Sequence, residues 1–375
     1  MLKVMPKIPK IIDSLYIHFP FCAHLCNYCD FYKKIPTDKI SDFQSFHNYL
    51  ESSFLLHQSL IERHGYVWAP LKTLYIGGGT PSLWGTEGKD FLEKFLKKNN
   101  IVLDKNCEFT LEVNPGAWND EVLSAWQKLG ANRFSLGVQS LNKEMITYLD
   151  RIHSIEDVHE TLHYFNKHKL NFSVDFMLGL PFSDQLKRDV IGELEQALLY
   201  NPSHFSVYIL TVKDNYRHYQ NLPEEDWIEK EFLSVSDFLI QKGFQHYEVS
   251  NFTLPGKQSA HNLNYWKSHT VAALGPSATG FLSEDKLRYK WLPQKPEMAF
   301  EQLNEEEFNL EKIYMSIRSQ EGIRLQDFPP KLVQLVQEWE RKNLVVQKEG
   351  IITLSSKGYL LLDSLMNDLF AMRLI

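Results

Sequence analysis

The sequence predicts an α/β fold, a parallel sheet curled into a partial (β/α)6 barrel, followed by a small C-terminal helical, winged-helix-like domain. Three observations predict it. Six short β-rich apolar runs alternate with amphipathic helical stretches. Polar residues recur at or just past the ends of successive runs. Near residue 305 the alternation gives way to two helices, a hairpin pattern and a closing helix. Strands separated by helix-length connections imply right-handed βαβ crossovers, and therefore parallel pairing.

The strands are expected at 14–19, 72–77, 107–113, 132–138, 170–178 and 204–211. Helices with 3.6-residue apolar spacing are expected at 41–63, 88–98, 118–129, 154–168 and 183–200. Gly130 is a stop signal for the third, and Ser154 with Asp157 resembles a capping box opening the fourth. Past 211 the pattern loosens. A helix is expected at 224–242 and an extended segment at 244–252, and 253–300 is rich in Pro, Gly, Trp and Tyr. Helices at 305–319 and 330–342, β-runs at 344–347 and 351–354, and a helix over 356–371 complete the chain. The expected division is a core over 1–215, an extension over 216–300 and a C-terminal domain over 301–375.

The polar residues explain why a barrel is preferred. Cys22, the Gly77–Gly79 run, Glu112, Gln139, Asp175 and Tyr208 lie at or beyond strand ends. In a parallel barrel these ends share one face, where sites are built. Residues spread over almost two hundred positions then converge on one pocket.

Composition narrows the class. The chain has 375 residues, 43% hydrophobic and 23% charged, which is ordinary for a globular protein. A net charge of −7 argues against a dedicated nucleic-acid binder. No run approaches 18 apolar residues, so no transmembrane helix is expected. Pro6 and Pro9 interrupt the place where a signal peptide needs an apolar stretch. Of only four cysteines, three fall within eight residues, Cys22, Cys26 and Cys29, with Cys107 alone. That is no disulfide scaffold; clustered reduced thiols suggest a cytoplasmic setting and a metal. Zinc usually takes four closed ligands. Three thiolates on a four-iron cluster leave one iron open for chemistry. The alternative, three incidental core cysteines, fits poorly with their density among aromatics.

The spacing Cys22-x3-Cys26-x2-Cys29, after a first strand, resembles the radical S-adenosyl-L-methionine (SAM) superfamily. The wider string YIHFPFCAHLCNYCDFY, residues 16–32, is similar to its oxygen-independent coproporphyrinogen III oxidase-like family. The resemblance spans about residues 14–370. It implies a 4Fe-4S cluster held by Cys22, Cys26 and Cys29, SAM chelated at the open iron, and an electron donor for the cluster. It further implies SAM contacts from Tyr16, Tyr28, Gly79 and Thr80 of GGGTPS, Glu112, Gln139, Arg151 and Asp175. Read singly, any one of Glu112, Gln139, Arg151 and Asp175 is more readily a barrel-interior salt bridge; their shared position on one face favours the site.

His261-Asn262-Leu263-Asn264-Tyr265-Trp266 discriminates within the family. A lone His near aromatics is more often a satisfied core histidine. HNLNYW, however, resembles the heme-binding motif of the family's heme-chaperone branch, and HYEVSNF at 246–252 resembles a segment of that branch. Two positions past the last cluster cysteine, the oxidases carry a fourth cysteine; here it is Phe31. The resemblance thus implies heme near His261, Tyr265 and Trp266, passed to an acceptor hemoprotein such as a respiratory one. Coproporphyrinogen III oxidation is the alternative activity. LGPSATGF at 274–281 departs from the family's glycine-rich stretch, and Cys107 has no assigned role.

Overall fold

The computed structural model describes residues 9–213, 215–327 and 330–371. The start of the N-terminal stretch, including Pro6, lies outside the described residues. The first half alternates as expected: β1 (Lys10–Phe19), α1 (Lys39–His64), β2 (Tyr66–Gly78), α2 (Gly85–Lys98), β3 (Leu103–Val113), α3 (Asp120–Leu129), β4 (Arg133–Gln139). A short α4 (Lys143–Tyr148) follows, unforeseen in the sequence, then α5 (Ile155–Lys167), β5 (Phe172–Leu178), α6 (Val190–Leu198), β6 (His204–Ile209) and α7 (Glu225–Gln241). The strands β1 to β6 pair in parallel, each with its sequence neighbour.

Local chemistry sets these boundaries. Ser154 and Asp157 form a reciprocal capping box on α5. Gly130 closes α3 at φ 122°, a conformation favouring glycine. α6 begins at Val190 rather than 183, because Phe182 and Lys187 take positive φ in the preceding turns. β2 is longer than expected, and its register with β1 shifts between Ile12 and Ser14, opposite the Pro70 region.

The segment past 211 is more ordered than its sequence suggests. The extended segment is two strands, β7 (Gln245–Glu248) and β8 (Asn251–Thr253); β8 pairs antiparallel with β6, and β7 antiparallel with β8. A short α8 (Ala260–Trp266) leads to β9 (Ala272–Leu274), which pairs parallel to the outer edge of β1. The main sheet therefore has nine strands in the order β7-β8-β6-β5-β4-β3-β2-β1-β9. Three further strands, β10 (Thr279–Leu282), β11 (Leu287–Trp291) and β12 (Met298–Gln302), form a separate meander.

The C-terminal part holds α9 (Glu305–Ile317), β13 (Ile323–Arg324), α10 (Pro330–Arg341), β14 (Val345–Lys348), β15 (Ile351–Leu354), α11 (Ser356–Leu360) and α12 (Leu362–Ala371). Its three strands pair in the order β13-β15-β14. Its helices pack a second core around Ile317, Val336, Trp339, Ile352 and Leu369. No described helix is long and apolar enough to cross a membrane.

The strands alternate strictly. Leu15, Ile17 and Phe19, then Leu74 and Ile76, Phe109 and Leu111, and Phe134 and Leu136 are buried in the main apolar core. Their alternate neighbours are polar: Ser14, Tyr16 and His18; Thr73 and Tyr75; Thr110 and Glu112; Arg133 and Ser135; Ser173 and Asp175; Ser206 and Tyr208. A parallel sheet covered on both faces has continuously apolar strands. Here one face packs apolar and the other is a polar lumen. Tyr208 is 42% exposed despite lying mid-sheet, so that lumen admits water.

Candidate functional site

The loop after β1 carries the three cysteines. Its backbone is pinned by Cys22 N–H donating to the Lys34 carbonyl and Lys34 N–H to that of Pro20, at 3.0 and 2.8 Å. The Lys33 ammonium donates to the carbonyls of Cys26 and Cys29. All three thiols are free, as is Cys107. Cys22, Cys26 and Cys29 border one cavity of about 240 Å³, together with Tyr28, Gly79, Thr80 and Arg151. Among the described residues no three His, Cys, Asp or Glu side chains converge on a single ion. The three thiols instead line one cavity.

Burial raises the Cys22 and Cys26 thiol pKa values. Arg151 opposes this at Cys26, and the Thr80 hydroxyl opposes it at Cys22. Cluster ligands are thiolates, so a guanidinium beside a half-buried thiol suits ligation. Arg151 Nη2 also donates to Asn114 Oδ1 at 3.0 Å and to the Gly137 carbonyl at 2.7 Å, which joins the β3 and β4 ends. Asn114 Nδ2 donates to Thr80 Oγ1 at 2.8 Å.

The triple glycine is required by close approach. A Cβ on Gly79 would stand 2.5 Å from the Phe21 carbonyl oxygen, and one on Gly77 2.8 Å from Glu112 Oε1. Gly78 takes φ 115° and faces the His18 ring. Glu112 fastens this turn from below, accepting from Tyr75 OH through Oε1 and from Gly78 N–H through Oε2, both at 2.9 Å. Burial lifts its pKa to about 7, against the opposing pull of those two hydrogen bonds.

Of the other residues expected at SAM, Glu112, Gln139, Asp175 and Tyr16 do not border this cavity. Asp175 accepts from Ser135 and Ser173, and burial raises its pKa. Gln139 ends β4 at φ 69°, where the β4–β5 register shifts. Tyr16 sits deeper, its hydroxyl 3.0 Å from His18 Nδ1. Lys33, Asn114 and Tyr75 also hold this site together, and the sequence does not single them out. Counting back by two from Gly77 finds Tyr75 on the same face; Lys33 and Asn114 leave no such signal.

His261, Tyr265 and Trp266 do not share one surface. His261 is 1% exposed. Its Nδ1 lies 2.9 Å from Thr73 Oγ1 and 3.4 Å from Ser14 Oγ, and its Nε2 lies 3.2 Å from Tyr265 OH. Thr73 precedes Gly77 by four strand residues, which places His261 roughly 13 Å below the cysteine-bearing end. Trp266 lies under the Arg318 guanidinium.

Comparisons with known proteins agree with this architecture. The radical SAM superfamily model matches residues 16–190. The heme chaperone HemW of Lactococcus lactis is 32% identical over 340 residues, covering 85% of each chain. HemW of Escherichia coli is 34% identical, covering 74% of this chain and 71% of the other. The coproporphyrinogen III oxidase HemN of Escherichia coli superposes with a TM-score of 0.76, over 96% of this chain and 89% of that one, at 20% identity. That last likeness concerns fold alone. The matching sequence and the shared barrel place the chain in the HemW family of the radical SAM superfamily.

Proposed function

We propose that this protein takes up heme and passes it to an acceptor hemoprotein in the cytoplasm, with a 4Fe-4S cluster and exchangeable SAM in its barrel. The observation that carries this reading is the identity to heme chaperones across 85% of the chain. Phe31 and the HNLNYW segment support it from the sequence.

The residues present fit the implied groups. Cys22, Cys26 and Cys29 would hold the cluster, whose open iron would anchor SAM and, once reduced by an electron donor, supply an electron to it. Lys33 fixes the cysteine loop through two carbonyls. Arg151 favours thiolate at Cys26 and joins two strand ends beside the cavity. Gly79 and Thr80 bring backbone close to where an amino-acid group would lie. Tyr28, with Arg151 near its hydroxyl, would flank it. Glu112 and Asp175, with Gln139 and Tyr16, would orient the nucleoside from the lumen wall.

Heme titration of the anaerobically reconstituted protein tests the reading. A saturable Soret shift, with transfer to an apo-hemoprotein, is the expected result. Absence of any shift ends the carrier reading. Conversion of coproporphyrinogen III by the reduced protein with SAM would establish the oxidase alternative instead.

A further inference from the structure

We infer that the HNLNYW segment forms the floor of the barrel, with His261 acting as a positioning residue for the SAM end rather than as a heme ligand. The inference rests on SAM binding as proposed above, but not on heme transport.

The His261 ring, the Asn264 amide and the first two backbone amides of α8 are already engaged in the barrel. The amides of Ala260 and His261 donate to the Glu108 carboxylate at 2.9 Å each. Both ring nitrogens of His261 have partners, and Asn264 Nδ2 reaches Ser14 Oγ at 3.2 Å. An imidazole ligates iron through a nitrogen lone pair, so ligation would first have to break one of these contacts inside the sheet. Burying a polar nitrogen without its partner is costly. An accessible heme ligand would instead present one free nitrogen to a cleft.

The same geometry connects the floor to the glycine turn. The His261 ring packs 5.1 Å from the Tyr75 ring and 6.3 Å from that of Tyr16. Tyr75 then holds Glu112, and Glu112 holds the Gly78 amide at the cavity wall. Three contacts thus run from the floor to the cavity wall. Removing the imidazole leaves the Tyr265 hydroxyl without its partner, takes one of the partners of Thr73, and opens space beneath Tyr75. Glu112 then loses the phenol that fixes one of its oxygens.

Three variants test this: His261→Ala, His261→Asn and Tyr265→Phe, each reconstituted with its cluster. Asparagine keeps an acceptor close to where Nδ1 meets Thr73. His261→Ala is expected to raise the SAM dissociation constant on the order of tenfold, the worth of one or two buried hydrogen bonds. His261→Asn should recover most of that loss, and Tyr265→Phe should show a smaller rise. The Soret band of bound heme should be the same in all three as in the unmodified protein. If His261→Ala does not fold, Tyr265→Phe and His261→Asn still decide the matter. A Soret change in a His261 variant that free imidazole reverses would make His261 the ligand and overturn the inference. Unchanged SAM affinity in every variant would overturn it too. Loss of heme binding by the unmodified protein would refute the chaperone reading and leave the SAM measurement standing.

Discussion

Glu112→Gln reports directly on the polar lumen. Burial holds the Glu112 pKa at about 7, against 4.5 for the free side chain. A carboxyl with a raised folded pKa favours folding below its unfolded pKa, and that contribution is lost as pH rises through the folded value. The window is therefore pH 4.5 to 7. Between pH 5 and pH 8 the unmodified protein loses at most about 2.5 kcal/mol through this group. Glu112 borders the water-admitting lumen, so screening trims the loss to about 1–2.5 kcal/mol. Glutamine does not titrate, but its single carbonyl can serve only one of Tyr75 and Gly78 as acceptor. Glu112→Gln should thus be destabilising at pH 5 and gain about 1–2.5 kcal/mol relative to the unmodified protein by pH 8. Urea unfolding of both iron-free, reduced proteins across that range measures the double difference, which cancels every other titrating group. A difference that stays flat with pH would show that Glu112 is solvated as in a free chain, and the account of the glycine turn would fall with it.

Other consequences are simpler to read. Replacing any one of Cys22, Cys26 or Cys29 with Ala should abolish iron–sulfur absorbance after anaerobic reconstitution, whereas Cys107→Ala should leave it intact. Gly79→Ala forces a Cβ to within 2.5 Å of the Phe21 carbonyl oxygen, and should cost about 2–3 kcal/mol in urea unfolding and lower iron content. Arg188→Met leaves Glu193 and Glu231 buried without their cation, a loss of about 3–5 kcal/mol that Tm or urea midpoints would reveal. Burial depresses His57, His246 and His261 to about 3, so each favours folding above pH 6.5 and loses that contribution as pH falls toward 3. At pH 5 each contributes about 2 kcal/mol less than at neutrality. Raised carboxyls such as Glu112 work in the opposite sense, so the effect is read from His57→Gln, which should lose less stability than the unmodified protein between pH 7 and pH 5 in urea unfolding. An equal pH dependence in the two proteins would contradict the burial of His57.

The cysteine spacing, the triple glycine and the six strand runs are local patterns, and each was legible without coordinates. Period-two alternation is equally local: Ser14, Tyr16 and His18 face one way because successive strand residues point to opposite faces. So the parallel core and the cysteine-bearing end of the site followed from the chain alone. Three things depended on contacts between distant segments. β9 joins β1 across some 250 residues, and three alanine- and leucine-rich residues carry too little pattern to announce a strand. Asn114 acts through an amide that meets Thr80 and Arg151, 34 and 37 residues away. The clearest case is His261. Its motif identified a branch of a family, but hydrogen bonds to Ser14 and Thr73, nearly two hundred residues or more away, decided where its imidazole points. Sequence records which donors and acceptors exist, and tertiary structure decides which of them are already taken.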